Sequence, residues 1–243
     1  MLSINNNFYA YALTVFLCSF IGFISKYFYK KLATSYTIQL FGKMLTRVKT
    51  GDKVVALTYD DGPNSPYTEK LLNVLKDVQV KATFFVIGKQ LERNLATAQR
   101  MLAEGHELGN HSYSHTKLIN QKLSVIRSEI TKTDEIISAL GVNSNIHFRA
   151  PLGLKRIRLP WELARRNKTN ILWDVDPQDY KEQSPDQIAN FVAHNVKPGS
   201  IILLHDGGGN RSRTVIATKM IVEQLHAKGY QFKTISELVT LKT

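Results

Sequence analysis

At 243 residues, with 43% apolar and 21% charged side chains, the chain is long enough for one large α/β domain or two small ones, and it is neither disordered nor low-complexity. Six of the charges behind its formal net +12 are Lys26, Lys30, Lys31, Lys43, Arg47 and Lys49, which fall in the first 50 residues without an Asp or Glu. The other 26 basic and 20 acidic residues are spread over 193 positions with no dense basic stripe interleaved with aromatics, which argues against nucleic acid and fits a surface facing anionic lipid or wall polymer.

In chain order, residues 8–24 carry no charge and are followed by Lys26, Lys30 and Lys31. Such a run beside a basic cluster predicts an uncleaved N-terminal membrane-anchor helix within residues 1–31. No Lys or Arg precedes it, as a cleavable signal peptide requires, and Val15, Phe16 and Leu17 are too bulky for a lipoprotein cleavage site before Cys18. A buried helix of the folded domain is the alternative. By the positive-inside rule the flanking lysines put the rest of the chain in the cytoplasm. Cys18 is the only cysteine, so no internal disulfide forms and the redox compartment is not defined.

Residues 32–50 read as a linker, and 51–243 as the folded domain. From Gly51 onward, short β-rich runs alternate with segments of helical period, the pattern of a sheet built from βα units. Strands are expected at 54–59, 82–87, 107–110, 146–149, 171–175, 200–204 and 231–235. Seven is one short of a complete eight-stranded barrel. Helices are expected at 66–78, 90–104, 122–140, 160–167, 185–195 and 214–228. Gly105, Gly141 and Gly229 follow helices, and Pro66, Pro160 and Pro185 stand at or near helix starts.

Parallel βα architectures gather chemistry where strands end. Here Asp60 and Asp61 end the first strand, His111 and His115 follow the third, Arg149 ends the fourth, Asp176 and Asp179 follow the fifth, and His205 and Asp206 close the sixth. The adjacent carboxylates of Asp60 and Asp61 diverge, so one can bind metal while the other titrates; alone, the segment is equally well explained by an ordinary Asp-Gly turn. His111 and His115 have the i, i+4 spacing that brings two imidazoles to one side of a helical turn, and two His with one carboxylate make a divalent-metal triad. Arg149 can orient a carboxylate through its fork, although taken singly a surface salt bridge explains it better. His205, delivered from an apolar strand to its rim, suits general acid work, with ordinary capping of the strand end as the alternative. Gly207, Gly208 and Gly209 form a flexible loop without phosphate-cradling spacing. Asn167-Lys168-Thr169 and Asn210-Arg211-Ser212 match glycosylation sequons, which chance also supplies.

Together these segments resemble the polysaccharide deacetylases of carbohydrate esterase family four, whose motifs T[FY]DDG, H[ST]xxH, RxPxG, DxxDW and LxH all occur here in order between Thr58 and His205. The resemblance implies an α/β fold, a distorted seven-stranded (β/α) barrel. It further implies hydrolysis of the N-acetyl group of N-acetylglucosamine-type residues in a polysaccharide, peptidoglycan or a chitin-like oligomer, releasing acetate. It makes Asp60 the general base and Asp61, His111 and His115 the ligands of a divalent metal, most often zinc, with cobalt or similar ions as alternatives. Arg149 would tether the base, and His205 would be the general acid oriented by Asp179. Leu203 would line a pocket for the acetyl methyl, and the Leu152 backbone N–H would help hold the oxyanion. Tyr180 stands where the family commonly has Trp, and Leu152 where Tyr is frequent, so the wall of the sugar-binding groove differs. Because such substrates lie outside the cytoplasm, the resemblance puts the catalytic domain in the periplasm or at the cell surface, against the flanking charges. Two rivals remain: another metal-dependent hydrolase on a similar barrel, or a non-catalytic carbohydrate-binding protein.

Overall fold

The computed structural model describes residues 6–35, 37–143 and 145–241, with residues 6–13, 17 and 29 described by backbone alone. In chain order the elements are α1 (Asn6–Thr34), β1 (Lys43–Leu45), β2 (Val54–Asp60), α2 (Tyr67–Asp77), β3 (Thr83–Val86), α3 (Gly88–Arg93), α4 (Leu95–Ala103), β4 (Glu107–Asn110), α5 (Leu123–Ala139), α6 (Arg158–Arg165), β5 (Thr169–Ile171), α7 (Pro185–Asn195), β6 (Ser200–His205), α8 (Ser212–Ala227), β7 (Gln231–Phe232) and α9 (Ile235–Thr240). All strand pairings are parallel, in a five-stranded sheet ordered β4-β3-β2-β6 with β7 also on β2, and a two-stranded sheet β1-β5.

The strand β2 shows why its residues form this structure. All seven are buried, which accounts for an apolar run with no polar alternation, as expected of a parallel strand covered on both faces. Val55, Leu57 and Tyr59 face one cluster with Leu71, Leu72 and Leu75 of α2 and with α7 and α8, while Val54 and Ala56 face a second cluster with Ile201, Leu203, Trp173 and α9. Each fully buried Leu contributes on the order of 2 kcal/mol of transfer free energy. The alternation on β2 and β6 turns Thr58, Asp60, Leu203 and His205 toward the second side, and there the site is built.

The α/β class and parallel pairing match expectation, but the expected barrel is not a continuous ring of ladders. Single-residue bridges, Asn110 with Phe148, Phe148 with Asn170 and Val175 with Ile202, stitch the two sheets together. The expected strand at 146–149 shrinks to the bridge at Phe148, because Arg149 leads at once into the turn at Pro151–Gly153. The run expected at 171–175 pairs at its start with β1 and rejoins β6 only at Val175. The helix expected over 90–104 breaks into α3 and α4 at Asn94, whose amide donates to the Gln90 and Pro63 carbonyls.

The expected linker, residues 32–50, is part of the fold. It supplies β1 and the buried Val48, and its Leu32 and Ala33 are buried as well. Lys155, itself buried, donates from its backbone N–H to the Ala33 carbonyl at 3.0 Å and from Nζ to the Ser35 carbonyl, so it caps the C-terminal end of α1. Burial lowers the Lys155 pKa to about 8. Among the described residues no helix is long and apolar enough to cross a membrane. The expected anchor over residues 1–31 is therefore not supported by the structure; its residues 1–5 lie outside the described residues, and 6–13, 17 and 29 are described by backbone alone.

Candidate active site

Asp60 and His205 are register partners at the C-terminal ends of β2 and β6, so their side chains leave the sheet on the same face. Asp60 is 3% exposed, and its Oδ1 accepts from Arg149 Nη1 at 2.7 Å. Burial raises the Asp60 pKa, and the Arg149 and His205 charges only partly oppose it. Arg149 is wholly buried rather than on the surface. It donates to Thr58 Oγ1 at 2.8 Å and to the Ile171 and Leu172 carbonyls, and its guanidinium lies 4.0 Å from the Phe85 ring centroid. Burial lowers the Arg149 pKa while Asp60 raises it again, leaving an ion pair whose every partner is fixed.

Asp61 follows in the left-handed region, with φ 78°, which swings its carboxylate away from that of Asp60. Asp61 Oδ1 lies 3.6 Å from His111 Nε2 and 3.2 Å from His115 Nε2. The two histidines do not share a helical turn, as their spacing predicted. Positive φ at Ser112 and His115 coils the segment into a loop, closed by the His115 N–H bond to Ser112 Oγ and by Ser112 N–H to Asn110 Oδ1. Glu129 of α5 holds the loop from outside, accepting from Tyr113 N, Ser114 N and the Ser114 hydroxyl at 3.1, 2.8 and 2.8 Å.

These three residues fit a divalent cation. Their ligand atoms lie within 4.8 Å of one another. His111 Nδ1 faces the Arg149 carbonyl at 2.9 Å; a carbonyl only accepts, so Nδ1 carries the proton and Nε2 presents a lone pair. Burial holds the His111 pKa down to about 3, so the ring stays neutral at physiological pH despite Asp61. Asp61 Oδ1 is buried and has no hydrogen-bond partner among the described residues. Lone pairs facing a carboxylate oxygen in a buried space call for a positive charge between them.

His205 is held from the other side. Its Nδ1 meets Asp179 Oδ1 at 2.7 Å, its backbone N–H donates to Asp179 Oδ2 at 2.9 Å, and Thr214 donates to the same oxygen at 2.8 Å. Burial alone would lower the His205 pKa; Asp179, with Asp60 and Asp61, more than offsets it and the value is raised. Tyr180 sets its ring edge-on to His205 at 5.3 Å. A cavity of about 310 Å³ joins Asp60, Asp61, His111, His115, Leu152, Tyr180, Leu203 and His205, which brings together the sequence-predicted residues apart from the supporting Arg149 and Asp179. Leu152 reaches it from a left-handed turn, φ 58°, and is 52% exposed.

Three contributors escaped sequence reasoning. Trp173 and Arg211 line the cavity, and Glu129 braces the histidine loop. The doublet Trp173-Asp174, just before the motif at Asp176, and the tight Gly-Gly-Gly-Asn-Arg sequence after Asp206 were the available signals. Asp206, buried with Oδ2 accepting from Thr68 at 2.6 Å, is raised to about 7 by burial. It leaves no room for a side chain at Gly62, where a Cβ would overlap its carboxylate.

A neutral buried imidazole, a second imidazole and a carboxylate around one point, beside a buried Asp–Arg pair and an Asp–His pair, constitute the kind of site that divalent-metal hydrolases use. The chain belongs to the polysaccharide deacetylase family: the family model described as polysaccharide deacetylase matches residues 47–169. It is 34% identical over 203 residues to a peptidoglycan-N-acetylglucosamine deacetylase of Bacillus cereus, covering 83% of this chain and 95% of that protein. A solved peptidoglycan N-acetylglucosamine deacetylase in complex with 4-naphthalen-1-yl-N-oxidanyl-benzamide superposes with a TM-score of 0.77 at 36% identity, over 80% of this chain and 92% of that one. A structure described as a CE4 family pseudoenzyme from Bacillus anthracis superposes with a TM-score of 0.76 at 30% identity, over 84% and 71% of the two chains. A shared fold thus leaves it to the side chains whether a member turns over substrate.

Proposed function

We propose that this chain removes N-acetyl groups from N-acetylglucosamine-type residues of a polysaccharide, peptidoglycan or a chitin-like oligomer, releasing acetate. The observation that carries this reading is the pairing of Asp60 with His205 on adjacent strands, in one cavity with Asp61, His111 and His115. Asp61, His111 and His115 would hold a divalent cation, zinc first among the candidates. When bound, that cation polarises the amide carbonyl and makes water a better nucleophile.

The chain's own groups then have separate tasks. Asp60, kept in place by Arg149, takes the proton of the attacking water at the carboxylate oxygen that Arg149 does not hold. Burial favours the protonated form of this carboxyl, which makes Asp60 a stronger base than an exposed aspartate. His205, protonated and oriented by Asp179, gives its Nε2 proton to the departing sugar amine. The Leu152 N–H helps hold the developing oxyanion, Leu203 accepts the acetyl methyl, and Tyr180 forms a wall for the sugar ring.

Acetate release from N-acetylglucosamine tetramer by the metal-loaded protein tests this reading. Phosphate release from phosphoesters without acetate release would instead favour another metal-dependent hydrolase. No release from any acetylated glycan, unaltered by Asp60→Ala, would favour a non-catalytic carbohydrate-binding role.

Residues 1–31 are proposed as a membrane attachment with the catalytic domain extracytoplasmic. Attachment is supported by the exposed Val15, Phe16, Phe20, Ile21, Phe23 and Ile24 on α1; the extracytoplasmic side rests on where such glycans lie, and Lys26, Lys30 and Lys31 favour the opposite side. Protease treatment of whole cells, compared with lysed cells, tests both attachment and side.

A further inference from the structure

A second cavity, of about 510 Å³, adjoins the first: Tyr180 and Arg211 stand in the walls of both. Its other walls come from Lys181 and from the start of α8, including Arg213. Arg211 is 7% exposed and anchored by donating from Nε to the Gly207 carbonyl and from Nη2 to the Gly208 carbonyl, so its charge is held at a fixed point. Arg213 is exposed and makes no hydrogen bond or ion pair among the described residues, and Lys181 donates only to the neutral Gln178 amide. Two carboxylates also line the cavity. Asp179 is committed to His205 and Thr214, which leaves the exposed Glu182 as one free anion in the lining against three cations, while Asp176 of the adjoining cavity partly offsets the Lys181 charge.

Resting on the deacetylase reading, we infer that this cavity is a subsite for an anionic substituent on the sugar next to the one being deacetylated, so that the enzyme prefers a carboxylate-bearing glycan to a neutral one. A glycan running from the reaction cavity past Tyr180 brings the substituents of its next residue against Arg211, Arg213 and Lys181. A carboxylate there meets three positive groups within a concave wall, where solvent screens less than on an open surface. A neutral chitin-like chain has no group to use them. The three cations are then specificity residues that contact the substrate away from the reacting atoms.

The test compares two substrates of the full-length, metal-loaded protein: N-acetylglucosamine tetramer, and soluble strands alternating N-acetylglucosamine with N-acetylmuramic acid, whose lactyl groups carry carboxylates. For Arg213→Gln and Lys181→Gln, both at exposed positions, the ratio of kcat/KM on the strands to that on the tetramer should fall by about fivefold each, mainly through KM. Strands with methyl-esterified lactyl groups should show no such fall, and raised salt should reduce the preference of the unmodified protein. An unchanged ratio in both variants, with acetate still released from both substrates, overturns the subsite and leaves the deacetylase reading standing. Acetate release from neither substrate by the unmodified protein overturns the reading itself, and the subsite with it.

Discussion

Replacing Asp179 by Asn keeps the shape of the side chain and removes its charge from a carboxylate that is 4% exposed and takes three donors, His205 Nδ1, His205 N and Thr214 Oγ1. The amide also turns one acceptor into a donor, so one of the three bonds is lost. A hydrogen bond to a charged group contributes about 1.5–3 kcal/mol, and one pKa unit corresponds to about 1.4 kcal/mol, so the His205 pKa should drop by roughly one to two units. The sign follows from the folded value, which Asp179 raises above the ordinary histidine value near 6.5. Stability from the pair is fully present below that ordinary value and is lost as pH rises through the raised one. The stability gap between native protein and Asp179→Asn is therefore widest below about pH 6.5 and narrows above it. If His205 must be protonated to act, the alkaline limb of the kcat/KM profile should move to lower pH by the same one to two units. Acetate release from N-acetylglucosamine tetramer across pH, paired with denaturant melts at the two ends of the range, measures both effects. An alkaline limb that stays in place or moves upward would refute the assignment of His205 as the acid oriented by Asp179.

Arg149→Met should cost about 3–5 kcal/mol in denaturant unfolding, since it leaves Asp60 buried and unpaired beside an apolar side chain of similar length. Glu129→Ala removes three bonds to the histidine loop without touching a ligand; zinc affinity, measured by competition with a chromophoric chelator, should fall by about 10- to 100-fold. Gly62→Ala places a methyl group on the Asp206 carboxylate, which Thr68 fixes, and thermal melting should report a loss of about 3 kcal/mol or more.

The candidate constellation is legible in the sequence because its members lie at or after the ends of strands and bridges, and parallel strands bring their ends to one face whatever lies between them. Asp60 and His205 illustrate this: 145 positions apart, they are register partners on β2 and β6. Local conformation is less legible. The spacing of His111 and His115 suits a helical turn, yet Asn110, Ser112 and Glu129 together supply side-chain acceptors that stabilise a coiled loop, and Glu129 is donated by a helix that a local window does not contain. The burial of Arg149 is equally non-local, since its partners Asp60, Thr58, Ile171 and Leu172 come from two other strand regions. The strand β1 was hidden in an apparent linker because three residues show no alternation, and its partner β5 lies 126 positions away in register. Arg211 follows a glycine run that reads as a flexible loop, and only the fold turns it back to grip the Gly207 and Gly208 carbonyls.

The most direct measurement of the central claim is acetate released from an N-acetylated glucosamine oligomer by the full chain loaded with zinc, alongside Asp60→Asn loaded to the same metal content. The account predicts turnover by the native protein and a loss of about 10²-fold or more in the variant at equal zinc occupancy. Equal rates in the two proteins, or no acetate from either, would contradict it.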